Sequence, residues 1–151
     1  MSNTSLISTR NPARILMIED NPADVSLLRY ALDQQDDIYS LDVLRDGAEA
    51  IEFIRSQRSH NSSIDPCVMT LDLHLPKHDG TAVLRAIAET PSLSNLRVVV
   101  LTNLASPQEE REALGFDIRL YRVKPAELDG WVSLAAEILA ICKESALVPE
   151  I

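Results

Sequence analysis

The sequence predicts a doubly wound (βα)5 fold, a five-stranded parallel sheet with helices on both faces. Three observations carry that prediction. Five short apolar runs alternate with five helix-type segments along the chain. The first, third and fourth runs are continuously apolar, as central strands are, whereas the second and fifth alternate with polar residues, as edges do. Four of the runs stop abruptly at reactive polar residues, as parallel strands do when their C-termini share one functional rim. The predicted strand order is 2-1-3-4-5. At 151 residues the chain is read as one domain, 14–144, between an N-terminal tail 1–13 and a C-terminal tail 145–151.

In order, Arg14 to Ile18 forms the first strand and ends at Glu19-Asp20. Asn21-Pro22-Ala23-Asp24 then starts a helix, with Asn21 as its cap and an acid in the first turn. Val25, Leu28, Ala31 and Leu32 share one face of it. Tyr39, Leu41 and Val43 alternate with Ser40 and Asp42 as a half-exposed strand. Asp46-Gly47-Ala48-Glu49 has capping-box spacing and opens a second helix carrying Ile51 and Ile54. Ser56 to Pro66 is polar and turn-rich, a surface loop.

Cys67 to Leu71 is an apolar strand finished by Asp72, and Pro76 and Asp79-Gly80 turn the chain into a third helix from about Thr81. Val98 to Leu101 is an unbroken apolar strand, with three β-branched valines, reaching Thr102. Ser106-Pro107-Gln108-Glu109 starts a short, charged helix that Gly115 is placed to end. Leu120 to Val123 is the last strand, before Lys124-Pro125, and a final helix runs from about Glu127 to Lys143.

Composition excludes several functions. The net charge is −9, so the surface repels phosphate backbones, and direct nucleic-acid binding is not expected. No apolar run approaches the roughly 18 residues of a membrane span, and the first ten residues lack the basic-then-apolar pattern of a secretory signal. A cytoplasmic location follows as the expectation. Cys67 and Cys142 lie in apolar segments without metal-type spacing and are expected to be reduced core residues.

The strand ends converge chemically. Glu19, Asp20 and Asp72 meet at the switch point between the first and third strands, with Thr102 and Lys124 on the same rim. Crowded carboxylates repel one another unless a hard cation joins them, and Mg2+ suits such a site because it takes a few oxygens and completes its shell with water or phosphate. A cation, a lysine and a hydroxyl together stabilise charge on a phosphoryl group, which makes Asp72 the natural nucleophile.

This ordered set, Glu19-Asp20, Asp72 with Pro76 and Asp79-Gly80, Thr102 and Lys124-Pro125, resembles the receiver domain of two-component response regulators, which is CheY-like and flavodoxin-like in fold. The resemblance spans about Arg14 to Cys142. It implies a non-enzymatic signalling protein in which Asp72 takes a phosphoryl group from a histidine kinase or phosphotransfer partner. Mg2+ would be bound by Asp20, Asp72 and the His74 backbone carbonyl, with Glu19 acting mainly through water. Thr102 and Lys124 would hold the phosphoryl oxygens, Tyr121 would be the switch aromatic, and Pro125 would support the lysine through a cis peptide bond. The shifting region would be the fourth helix, fifth strand and fifth helix. Asn103 is larger than the residue usual there, and His74 and Leu104 occupy positions that tune phosphoryl lifetime in the family. His74 and His78 are four apart, but Pro76 between them opposes a helical zinc pair.

No effector segment follows the final helix, so the expected type is a stand-alone regulator similar to those paired with phytochrome-type kinases. That helix is apolar all round, with Trp131, Leu134, Ile138 and Ile141 on one side and Val132, Ala136 and Leu139 on another. A lone surface helix shows one stripe. A homodimer is therefore expected through this helix and the fifth strand, using Trp131, Val132, Ala136 and Leu139. Two other function classes stand beside the phosphoryl acceptor. One is a receiver-like interaction module without phosphorylation, whose usual mark is a missing acid or lysine. The other is an aspartyl phosphatase, which typically has a second Asp where His74 stands.

Overall fold

A computed structural model describes residues 12–57, 66–77 and 79–146. Five strands, β1 (Ala13–Ile18), β2 (Tyr39–Leu44), β3 (Val68–Asp72), β4 (Arg97–Thr102) and β5 (Leu120–Val123), form one sheet in the order β2-β1-β3-β4-β5. Every neighbouring pair is parallel. The helices are α1 (Pro22–Asp33), α2 (Gly47–Ser56), α3 (Gly80–Ala88), α4 (Pro107–Leu114) and α5 (Leu128–Ala146), with a 3-10 turn at Pro91–Leu93. The predicted order and the assignment of centre and edges agree with this. β3 is buried throughout, whereas β5 is half-buried to exposed.

Side chains that alternate along a strand point to opposite faces, and the central strands are apolar on both. Ile15, Met17, Val99 and Leu101 face one core with α1 and α5. Leu16, Ile18, Val98 and Val100 face the other with α2, α3 and α4. The capping residues act as their spacing predicts. Asn21 accepts from the Ala23 amide at 2.9 Å and Ser106 from Glu109 at 3.3 Å, and Asp79, read from the sequence only as part of a turn, caps as well by accepting from Ala82 at 3.0 Å. Asp46 accepts from the Glu49 amide at 2.8 Å, while the Glu49 side chain reaches back to the Arg45 amide at 2.8 Å. Most of the polar stretch between Ser56 and Pro66 and most of both expected tails lie outside the described residues.

Three expectations need correction. Trp131 and Leu139 are each 2% exposed inside the chain's own core, so neither belongs to a dimer face. Of the four expected interface residues, only Ala136 is exposed, and Val132 is half-buried against the same core. The helix is apolar on more than one side because it packs against α1 as well as the sheet, with the Gln35 side chain donating to the Val132 carbonyl at 3.2 Å.

The peptide bond before Pro125 is trans, as are all those described. The trans form is the default even before proline, and Pro125 supports its surroundings differently. A Cβ added at Gly130 would lie 2.7 Å from the Pro125 Cβ, so the first turn of α5 seats directly on the proline.

Finally, Cys67 and Cys142 are joined in a disulfide. They stand 75 residues apart in sequence, yet the parallel topology brings the entry of β3 and the far end of α5 to a Cα–Cα distance of 5.4 Å. Spacing alone gave no sign of that.

Candidate functional site

The site lies on the rim where β1, β3, β4 and β5 end. Glu19 and Asp20 follow β1 directly, Asp72 closes β3, Thr102 closes β4 and Lys124 follows β5. Asp72 is 3% exposed and Glu19 is 1% exposed, while Asp20 is open to solvent. One carboxylate oxygen from each of Glu19, Asp20 and Asp72 lies within 4.8 Å of the others. That spacing and the all-oxygen donor set suit a hard divalent cation.

Buried carboxylates are tolerated only when paired, and Lys124 supplies the pairing. Its Nζ lies 2.8 Å from Glu19 Oε1, 3.0 Å from Asp72 Oδ2 and 2.8 Å from Asp24 Oδ2. An ammonium has three N–H donors, so each one has a carboxylate partner. Burial disfavours the charged ammonium, but hydrogen bonds to Asp24, Glu19 and Asp72 together outweigh it and hold the Lys124 pKa above its usual value. Burial pushes the Glu19 carboxyl up to about 7, and the Asp72 charge adds to the rise, against the pull of Lys124 and the Asn21 amide. Crowding therefore acts on Glu19 as a secondary cause behind burial.

Asp24 was not among the residues expected at the site. In the sequence it reads as an ordinary first-turn helix acid. Only the fold places the first turn of α1 beside the end of β5, 100 residues away. Its one sequence signal is proximity, four residues past Asp20 at the same strand end.

Local backbone geometry fixes the acceptor loop. The His74 amide donates to Asp72 Oδ1 at 2.9 Å, which orients the carboxylate and positions the residue whose carbonyl is the expected metal ligand. Lys77 adopts φ 71°, a left-handed conformation uncommon outside glycine. The loop is pinned there, because the Gly47 amide donates to the Pro76 carbonyl at 3.1 Å and Lys77 Nζ lies 3.4 Å from Asp46. Gly80 is required by close approach, since a Cβ there would stand 2.5 Å from the Leu73 Cα. His74 carries its ring outward to Glu109 of α4 at 3.1 Å. His78, the other half of the rejected zinc pair, lies outside the described residues.

Thr102 is fully buried, and its hydroxyl donates to the Leu104 carbonyl at 3.2 Å. Tyr121 packs half-buried against the core shared by α2, α3 and α4. Its hydroxyl is buried without a hydrogen-bond partner among the described residues, with the Ser106 backbone nearby. Burial raises the Tyr121 pKa, and the charges of Glu109 and Glu110 add to it.

A parallel sheet of this order with a buried Asp, its acidic neighbours, a lysine and a threonine on one rim defines a class of signalling domain. The chain belongs to the response regulator receiver domain family, which matches residues 15–135. It is 31% identical over 138 residues to response regulator Rcp1 of Synechocystis sp., covering 91% of this chain and 94% of that protein. It is 30% identical over 138 residues to the probable methanogenesis regulatory protein FilR2 of Methanothrix harundinacea, covering 91% and 88%. The crystal structure of the phosphorylated cyanobacterial phytochrome response regulator RcpA matches with a TM-score of 0.79 at 28% identity, over 93% of this chain and 100% of that one. The Mn(2+)-bound form of Rcp1 matches with a TM-score of 0.76 at 31% identity, over 92% and 100%. Among the described residues, no helix is long and apolar enough to cross a membrane.

Proposed function

We propose that Asp72 accepts a phosphoryl group from a phosphohistidine on a sensor histidine kinase or a phosphotransfer protein. In the transfer an Asp72 carboxylate oxygen bonds to phosphorus, the phosphorus–nitrogen bond breaks, and the imidazole leaves with the bonding pair. The product is an acyl phosphate. The observation that carries this reading is the Asp72 carboxylate itself, 3% exposed at the tip of β3 and 3.0 Å from the Lys124 ammonium. Burying that charge otherwise costs several kcal/mol.

Glu19, Asp20 and Asp72, with the His74 carbonyl, would hold Mg2+, which neutralises the charge that develops on the phosphoryl oxygens. The acidic cluster and the Mn(2+)-bound state of Rcp1 support that assignment. Lys124 binds a phosphoryl oxygen once Asp72 has become the acyl phosphate and releases one N–H. Asp24 keeps its hold and aims the ammonium. Thr102 exchanges the Leu104 carbonyl for another phosphoryl oxygen. Leu104, 77% exposed, then moves with α4, and Tyr121 repacks beside it. The likeness to RcpA, a cyanobacterial phytochrome response regulator, favours a phytochrome-type kinase as the partner.

Incubation with acetyl phosphate and Mg2+ tests the reading by intact mass, with Asp72→Asn alongside. One added phosphoryl group in the parent alone is the expected result. Retained Mg2+ binding without any gain, from acetyl phosphate or from a phosphorylated histidine-kinase donor, would instead make the chain a receiver-shaped interaction module.

A further inference from the structure

We propose that Cys67 and Cys142 form a redox modification site, a thiol pair that exchanges with low-molecular-weight disulfides and, once joined, fastens the end of α5 to the entry of β3. This inference is independent of the phosphoryl reading. β3 separates Cys67 from Asp72 by five residues, or roughly 17 Å of extended chain, so bond exchange leaves the acceptor chemistry untouched.

The backbone around Cys67 is rigid. Its amide donates to the Arg14 carbonyl at 2.9 Å, and its carbonyl accepts from the Arg97 amide at 3.2 Å. It is therefore knitted between β1 and β4 in either redox state. Cys142 is 6% exposed and rides on a helix whose Ile138 and Ile141 are buried beside it. The helix is thus seated by packing, and the two sulfurs meet without the bond having to draw them together.

Exchange needs one reachable sulfur and one that resolves the intermediate. Cys67 is half-buried and offers the reachable edge, while Cys142 is inside. A Cys67 thiolate attacks the small disulfide and releases one small thiol. The Cys142 thiolate then attacks Cys67 Sγ in the mixed disulfide and expels the second. Two protein thiols and one small disulfide become one protein disulfide and two small thiols, and no other oxidant is needed.

The bond adds a covalent tie to that packing, because the ion pairs at the end of α5 among the described residues are weak. Lys143 pairs with Asp37 at 2.9 Å and Arg119 with Glu144 at 2.9 Å, but both pairs are solvent-exposed or nearly so, and exposed pairs contribute little. A cross-link closing a span of 75 residues restricts the unfolded chain far more.

The test reduces the full-length protein with dithiothreitol, removes the reductant, and adds glutathione disulfide. Each sample is then unfolded in urea containing N-ethylmaleimide, so that buried Cys142 is reached, and its thiols are counted by intact mass. The reduced protein should take two maleimides. After glutathione disulfide it should take none, carry no glutathione, and melt about 10 °C higher. Cys142→Ser should instead accumulate one glutathione on Cys67 and show no such rise. Two free thiols after glutathione disulfide, two stable glutathione adducts, or equal melting temperatures in the two redox states would each overturn the proposal.

Discussion

Lys124 is the residue on which the site's electrostatics turn, because it is a single cation shared by three carboxylates. Asp24 contributes the side-chain hydrogen bond that raises the lysine's pKa most. Asp24→Ala should therefore cost about 1–2 kcal/mol in urea unfolding, less than breaking an isolated buried pair, since two partners remain. Asp24→Asn should recover part of that loss. Glu19 gives the site its pH dependence. Its folded pKa of about 7 lies above the ordinary 4.5, so the folded state holds a proton that the unfolded chain has already released. The resulting stability is complete below about pH 4.5 and is lost as pH rises to 7, by a few kcal/mol in the metal-free protein. Proton and metal compete for the same carboxylate, so Mn2+ titrated at pH 6 and pH 8 should bind about tenfold more tightly at the higher pH. Equal affinities would mean that Glu19 does not protonate in this range.

At the scale of elements, the loop from Asp72 to Gly80 delivers the acceptor, and its precision rests on a contact where no side chain fits. Gly80→Ala would place a methyl 2.5 Å from the Leu73 Cα, so β3 and α3 must part. The expected cost is about 1–3 kcal/mol, with a phosphorylation rate that falls along with stability because His74 moves too. Asp79→Ala, which removes only the cap of α3, should cost about 1 kcal/mol and leave the phosphorylation rate near that of the parent. The caps at Asn21, Asp46 and Ser106 were legible in the sequence because each is a local rule that needs only its next three residues. α5 was not legible in the same way. Its buried width depends on α1 lying alongside it, and a helix read alone cannot show how many neighbours it has.

For the whole molecule, the alternation of apolar runs determined the sheet order, and four reactive strand ends were enough to locate the rim. What escaped was long-range pairing. Asp24 meets Lys124 across 100 residues and Cys67 meets Cys142 across 75, and no periodicity encodes either meeting. A cation joining Glu19 and Asp20 to Asp72 binds only the folded arrangement. At a hundredfold excess over its dissociation constant, Mg2+ should therefore add about 2.7 kcal/mol and raise the melting temperature by about 5–10 °C. An unchanged melting curve would argue against the metal site. The disulfide also divides the chain as a mechanical object. Residues 67–142 form a closed covalent ring that contains Asp72, Thr102, Tyr121 and Lys124, whereas Glu19, Asp20 and Asp24 lie on the open strand of chain before it. Tension applied between the two ends runs through the open strand and crosses at the sulfurs. Under load β1 and α1 would peel away first, and the receiver would lose Glu19 and Asp20, two of the three acids proposed to hold the cation, while Asp72 and its lysine stayed inside the loop.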